Sequence, residues 1–105
     1  MAANTSRHEI LVALHVHDDS VYDEYRARMK PILHSIGGYF RRDFRISESL
    51  AEGDPSVNRV FIISFPDKPT MDRFFNDPDY KKARAEFFDA SVSHTDTVAA
   101  YDLPG

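Results

Sequence analysis

Two short apolar segments restrict the folds available to this chain more than any other feature of its sequence. EILVALHVH (residues 9–17) and RVFIISFP (residues 59–66) are rich in β-branched and large apolar residues and are bounded by polar ones, which indicates β-strands. A strand with one face in water alternates apolar and polar residues, and neither segment does so. We therefore expect both strands to be covered on both faces, in the middle of a sheet.

The segment after the first strand predicts a helix that ends at a pair of glycines. Asp19 or Ser20 can act as its N-cap, and Pro31 should bend or locally break it. Gly37 and Gly38 should end it, because glycine readily adopts the left-handed backbone conformation of a helix C-terminus. The apolar face follows spacings of three and four and is expected to comprise Val21, Tyr25, Met29, Ile32 and Ile36.

A proline interrupts the second helical region. In FFNDPDYKKAR (residues 74–84), Pro78 stands between two helical segments, where it would remove a hydrogen bond and clash with the preceding turn. Asp77 can cap a new helix, and Pro78 suits its first position, where no N–H is needed. The sequence therefore predicts two helices, roughly 69–76 and 78–90, that meet at an angle.

The predicted elements follow the order β-α-β and then β-α-β. Residues 39–50 form the second strand and the more polar residues 93–105 the fourth, and one face of the second strand should carry Phe40, Phe44 and Ile46. This order predicts an α+β fold, a ferredoxin-like βαββαβ sandwich with an antiparallel sheet and both helices on one face. The first and third strands are then central. We interpret residues 1–105 as a single ferredoxin-like domain with an ordered core at about residues 8–102.

Charge and composition exclude several classes of function. The chain carries 13 Lys and Arg residues against 17 Asp and Glu residues and has no basic stripe, so we expect neither nucleic acid nor a membrane as a partner. It has no cysteine, which excludes disulfides, thiolate metal sites and cysteine nucleophiles. No apolar run approaches the ~20 residues of a membrane span, and the first residues lack the apolar core of a signal peptide. We expect a cytoplasmic protein.

Several short motifs, taken in order, resemble those of one protein family. They are GG at 37–38, EG at 52–53, R-x-x-x-I-x-F-P across 59–66, and DPDY at 77–80 followed by Arg84. The chain resembles, over about residues 9–101, a large uncharacterised family of small bacterial proteins, a domain of unknown function within the dimeric α+β barrel superfamily. Ser64 stands where that family usually has an acidic residue.

The resemblance implies a ferredoxin-like protomer that pairs with a second copy, the two sheets facing each other as a dimeric α+β barrel. That superfamily includes cofactor-free monooxygenases, haem-using enzymes, isomerases and ligand-sensing domains, so the resemblance implies a fold better than a reaction. By this analogy we favour a small enzyme, monooxygenase-like or isomerase-like, that acts on a small organic molecule in a pocket between helices and sheet. The alternative is a non-catalytic module that binds a small ligand or serves in dimerisation. We expect no cofactor.

Two histidines raise the question of a metal site. His15 and His17 are two residues apart in a strand and so project from one face, which is a first requirement for shared metal coordination. No helix supplies a further histidine or carboxylate pair at ligand spacing, so we expect no bound metal. His15 is then a hydrogen-bonded interior histidine or a ligand-binding residue, and His17 lies in solvent.

Four other residues are candidates for binding a ligand. Tyr25 lies on the apolar stripe of the first helix and can either hydrogen-bond a ligand or pack in the core with its hydroxyl in water. Arg59 opens a central strand and can hold a carboxylate, or else form a salt bridge with Asp54 or Glu52. The remaining two candidates are Tyr80 and Arg84, which lie one helical turn apart. They either contact a ligand or stabilise the helix that restarts at Pro78.

The apolar strands also predict an obligate homodimer through the open sheet face. Two helices cover only one face of such a sheet, and a bare apolar patch of several hundred Å² is rare on soluble monomers. A second copy related by a two-fold axis would cover both patches at once. Unfolding should therefore depend on protein concentration, and sedimentation should show dimers. A folded monomer at micromolar concentration would contradict this prediction.

Overall fold

Four antiparallel strands form one sheet in a computed structural model that describes residues 6–51 and 56–104. Their order is β2-β3-β1-β4, and each neighbouring pair is antiparallel. The strands are β1 (Arg7–Val16), β2 (Tyr39–Arg45), β3 (Arg59–Phe65) and β4 (Val92–Leu103). The two most apolar strands, β1 and β3, are central, as predicted. The α+β, ferredoxin-like arrangement is confirmed.

Helical segments cover one face of this sheet. They are α1 (Asp19–Ser35), α2 (Lys68–Phe75), α3 (Pro78–Ala83), a π-helical segment (Arg84–Phe88) and a final short α4 (Asp89–Ser91). Their buried side chains pack on alternate residues of the central strands, which are Ile10, Val12, Leu14, Val16, Phe61, Ile63 and Phe65. The intervening strand residues point to the other side, called the open face below. In the described part of the chain, no helix is both long and apolar enough to cross a membrane.

Helix α1 differs from its prediction at the start and along its buried face. Its N-cap is Asp18, whose side chain accepts a hydrogen bond from the backbone N–H of Val21, so the expected cap at Asp19 or Ser20 was wrong. Of the expected stripe, Tyr25 and Met29 are buried, Ile32 and Ile36 are partly buried against the core, and the other buried residues are Tyr22, Arg26 and Leu33. Arg26 is buried on this side, where its guanidinium binds Asp43 of β2.

Pro31 was expected to bend or locally break α1, and it does not break it. The helix runs from Asp19 to Ser35 with Pro31 inside it. Both Pro31 and Ala27 lie on the exposed side, where water can reach the carbonyl that loses its hydrogen bond. The predicted end is confirmed: Gly37 has φ of 81°, and the N–H of Gly38 donates to the Leu33 carbonyl at 2.9 Å.

A bulge in β2 changes which side chains share a face. The register between β2 and β3 shifts between Phe40 and Arg42, so Arg41 is an extra residue. Phe40 faces the helices, whereas Phe44 pairs with Val60 on the open face and is 52% exposed. The expectation that Phe40 and Phe44 share one face was wrong, because one inserted residue reverses the alternation that follows it.

The predicted break at Asp77–Pro78 is confirmed. Helix α2 ends at Phe75 and α3 begins at Pro78, with Asp77 in extended conformation between them. The Asp77 carboxylate accepts hydrogen bonds from the backbone N–H groups of Asp79, at 2.8 Å, and Tyr80, at 3.1 Å. Two N–H groups that a helix start leaves unpaired are therefore satisfied by one side chain.

The Asp77 cap can be tested by substitution. We expect Asp77→Ala to lower the free energy of unfolding by about 1 kcal/mol, the usual effect of losing an N-cap. Asp77→Asn is the matched control, because the amide oxygen still accepts from the same N–H groups, and it should retain most of the stability. Urea denaturation measures both. An alanine variant as stable as the parent would show that the cap contributes nothing.

Candidate functional site

A partly open cavity of about 170 Å³ lies between the helices and the sheet. Its floor consists of apolar side chains of the central strands, Ile10, Val12, Leu14, Phe61 and Ile63, and of two threonines of β4, Thr95 and Thr97. Its roof comes from the helical segments and consists of Tyr25, Phe75, Tyr80, Arg84 and Phe88. Apolar cavities of about 150 Å³ can hold benzene, so a molecule with one small ring fits this space.

Three of the predicted site residues form a hydrogen-bonded chain in the cavity roof. Arg84 Nη1 donates to the hydroxyl of Tyr80 at 3.3 Å, and the hydroxyls of Tyr80 and Tyr25 are 3.0 Å apart. Two hydroxyl protons are available and the bond between the tyrosines uses one of them. The other remains for a ligand, whichever tyrosine carries it.

Tyr25 and Arg84, two members of this hydrogen-bonded group, each keep one protonation state near neutral pH. Burial, reinforced by the nearby hydroxyl of Tyr80, raises the pKa of Tyr25 far above its usual value. Burial alone would lower the pKa of Arg84, but the hydrogen bond to Tyr80 together with the charges of Tyr80, Tyr25 and Asp89 outweighs it and raises that pKa. The cavity therefore presents a neutral phenol and a permanent cation, which together can bind an anionic or carbonyl oxygen.

Arg84 differs from the buried arginines elsewhere in the protein. Within the described residues no carboxylate forms a salt bridge with it, and Asp89 acts on it only through its more distant charge. Its guanidinium lies 4.5 Å from the centroid of the Phe88 ring, a cation–π contact that holds it over the cavity. A half-buried cation without an opposite charge, beside an apolar space, is suited to an anionic ligand.

A π-helical segment lies in the cavity roof. Tyr80, Arg84 and Phe88 are each four residues apart, a spacing that keeps side chains on one side of a helix. The segment Arg84–Phe88 winds more slowly than an α-helix, with an i→i+5 bond from the N–H of Asp89 to the carbonyl of Arg84. Ser91 secures its end by donating its hydroxyl to the carbonyl of Phe87 at 2.7 Å. The sequence analysis did not predict this segment.

His15 lies outside the cavity. It points to the open face of β1, and its Nδ1 hydrogen-bonds to the backbone carbonyl of Ser56. His17 is exposed. Within residues 6–51 and 56–104, no group of three or more histidine or acidic side chains is placed to hold a metal ion. The structure thus gives His15 a hydrogen-bonded position away from the other candidates.

Arg59 also lies away from the cavity, in a partly exposed cluster of charges around Asp43. It donates from Nε and Nη2 to the Asp43 carboxylate at 3.2 and 3.4 Å, and Arg26 binds the same carboxylate at 2.9 Å. Burial would raise the pKa of Asp43, but the two arginines outweigh it and lower that pKa. A salt bridge was one of the two predicted roles of Arg59, although its expected partners, Asp54 and Glu52, lie outside the described residues.

Comparisons with known proteins identify the family and the fold. The family model described as Domain of unknown function (DUF1330) matches residues 10–101. No curated protein matches the chain.

Solved structures share the fold at low sequence identity. A protein of unknown function from Rhodopseudomonas palustris is 16% identical with a TM-score of 0.77, over 99% of this chain and 86% of the other. A dabb family protein with a ferredoxin-like fold from Mesorhizobium loti is 16% identical with a TM-score of 0.62, over 93% and 95%. A putative antibiotic biosynthesis monooxygenase from Nitrosomonas europaea is 11% identical with a TM-score of 0.54, over 100% and 92%.

The raised pKa of Tyr25 predicts a loss of stability at alkaline pH. The folded state holds this phenol proton more tightly than the unfolded chain does. Its contribution to stability is therefore complete below pH ~10 and is lost as the pH rises above that value. In urea denaturation between pH 9 and 11, the stability difference between the parent and Tyr25→Phe should fall by about 1.4 kcal/mol per pH unit above 10. The control Tyr39→Phe removes an exposed hydroxyl and should leave the parent's slope unchanged; equal slopes in all three proteins would contradict the prediction.

Proposed function

The chain belongs to the family described as Domain of unknown function (DUF1330), and from that premise we propose that it binds a small organic anion in the cavity between its helices and its sheet. The observation that carries this proposal is Arg84, a cation in the cavity roof for which the described residues supply no salt-bridge partner. Arg7 also has no salt bridge among the described residues, but it binds Ser64 and the Gly37 carbonyl, whereas Arg84 lines the cavity.

The ligand's anionic group and its apolar body have separate contacts in this proposal. A carboxylate or an enolate oxygen accepts from the Arg84 guanidinium and from the free hydroxyl proton of the Tyr25–Tyr80 pair. The body of the ligand packs between Phe88 above and the aliphatic floor below. The cavity volume limits that body to about the size of one six-membered ring.

An enzyme acting on a small organic molecule is the second candidate function. The protein shares its fold with a putative monooxygenase, which supports this candidate. A second support is the neutral phenol of Tyr25 near the guanidinium of Arg84, because such a pair can stabilise an oxyanion that develops during a reaction. Oxygenase-like or isomerase-like reactions also need a base for proton removal. The described residues that line the cavity include no carboxylate and no imidazole, and the phenol of Tyr25 holds its proton tightly. Binding is therefore the better supported function.

We also propose that two copies pair through the open sheet face, in agreement with the dimer expected from sequence. Its central residues are apolar and only partly covered within one chain: Leu11, Val60 and Ile62. Phe44 and Val98 beside them are 52% and 56% exposed. A second copy would remove this patch from water. Such a pairing also suits an accessory dimerisation module.

The anion proposal can be tested with benzoate as the probe. Calorimetric titration should show binding to the parent protein, and Arg84→Gln should weaken it about tenfold or more, since a hydrogen bond to a charged group contributes about 1.5–3 kcal/mol. Glutamine keeps a hydrogen-bond donor and much of the side-chain length, so a loss of affinity would show that the charge of Arg84 contributes to benzoate binding.

Lys82→Gln is the matched control for the benzoate titration. Lys82 is an exposed cation two residues away on the same helical region, and its removal should leave the affinity unchanged. Equal weakening by both substitutions would assign binding to general electrostatics, and no binding to the parent would reject the proposed ligand class. Conversion of the bound molecule without an added cofactor would favour the enzyme instead.

A further inference from the structure

Two bulges in β4 determine which of its side chains face the cavity. The register between β1 and β4 shifts between Leu11 and Val12 and again between His15 and Val16, which leaves Val98 and Ser93 as extra residues in β4. Between these two points the segment His94–Thr97 keeps a regular register with residues 12–15 of β1.

This register places Thr97 opposite Val12 and Thr95 opposite Leu14. Cross-strand partners share a face, and both β1 residues line the cavity, so the two threonines line it as well. Asp96 pairs with Ala13 and faces the open side.

Without the bulge at Val98, β4 would present different side chains to the cavity. Val98 would then lie opposite Val12, and Asp96 opposite Leu14, at the cavity floor. A carboxylate would then line the same cavity as Arg84 and make it less favourable for an anion. The bulge instead directs Asp96 to the other face of the sheet and gives the cavity two hydroxyl groups.

These hydroxyls are not used within the described residues. Neither Thr95 nor Thr97 has a side-chain hydrogen bond there, and both line the cavity at its solvent-exposed edge on β4, where a ligand in the cavity can reach them. A threonine hydroxyl can donate one hydrogen bond and accept others, so the pair can contact either a hydroxyl or a carbonyl oxygen.

We infer that Thr95 and Thr97 determine ligand specificity, and that the ligand is a small carboxylic acid with a second oxygen, hydroxyl or carbonyl, at the end remote from the carboxylate. The inference rests on the proposed function, because it takes the carboxylate to be at Arg84. The roof would then hold the charge, while the floor at β4 would distinguish an oxygenated body from a plain hydrocarbon one.

The test compares benzoate with 3-hydroxybenzoate and 4-hydroxybenzoate by calorimetric titration. The parent protein should bind at least one hydroxybenzoate about fivefold more tightly than benzoate, as expected for one additional hydrogen bond. In the double variant Thr95→Val and Thr97→Val, which keeps branched side chains of similar shape, the ratio of affinities should fall to about one. A second double variant, Thr95→Ser with Thr97→Ser, should keep the preference for the hydroxybenzoate, because serine retains the hydroxyl.

Controls separate this inference from the proposed function. Ser93→Ala removes a hydroxyl from the same strand outside the cavity, and the ratio of affinities should not change. Binding of benzoate by the parent without any preference for hydroxybenzoates, or a preference that survives in the valine double variant, would overturn the role of the threonines and leave the anion site intact. If none of the three acids binds, both proposals fail.

Discussion

The constraint on which the rest of the structure depends is that the two central strands are apolar on both faces. One set of side chains must lie beneath the helices, and it forms the core with Ile10 and Phe61 among its members. The other set, including Leu11 and Ile62, is left on the open face. At one end of that face Glu9 is fully buried beneath Arg41 and Tyr101, so the apolar patch is bordered by a satisfied charge pair. The same two strands thus supply the cavity floor and a surface suited to a second copy.

Among the described residues, charged side chains have opposite-charge partners in the core but not in the cavity. Burial would raise the pKa of Glu9, but hydrogen bonds from Arg41 and Tyr101 outweigh it and lower that pKa. Asp43 is likewise bound by two arginines on the side beneath the helices. A buried charge without such partners is strongly disfavoured. Arg84 differs from these groups because it lines the cavity and has no salt bridge in the described chain, and the proposed anion site depends on that difference.

The sequence predicted the regular elements well and the irregular ones poorly. Strand order, the break at Pro78 and the cap at Asp77 followed from residue type and spacing, which are local properties. The bulge at Arg41, the π-helical segment and the bulges of β4 have no comparable signal, since an inserted residue looks like its neighbours. The burial of Arg26 in α1 was missed for another reason: its partner, Asp43, is distant in the sequence and is brought to it only by the fold.

The same distinction explains which cavity residues sequence reasoning found. Tyr25, Tyr80 and Arg84 follow helical spacing and reach the cavity, whereas Thr95 and Thr97 reach it only because bulges change the register. His15 shares the face of Leu11 and Ala13 by simple alternation, but alternation alone does not say which face the helices cover. Three irregular features border this one cavity: the capped break before Tyr80, the slow winding before Phe88 and the bulge at Val98. With a regular register, β4 would direct Asp96 into the cavity in place of the two threonines. Bulges and similar departures from regular backbone are common beside functional sites, and their concentration around this cavity is consistent with the proposed ligand site.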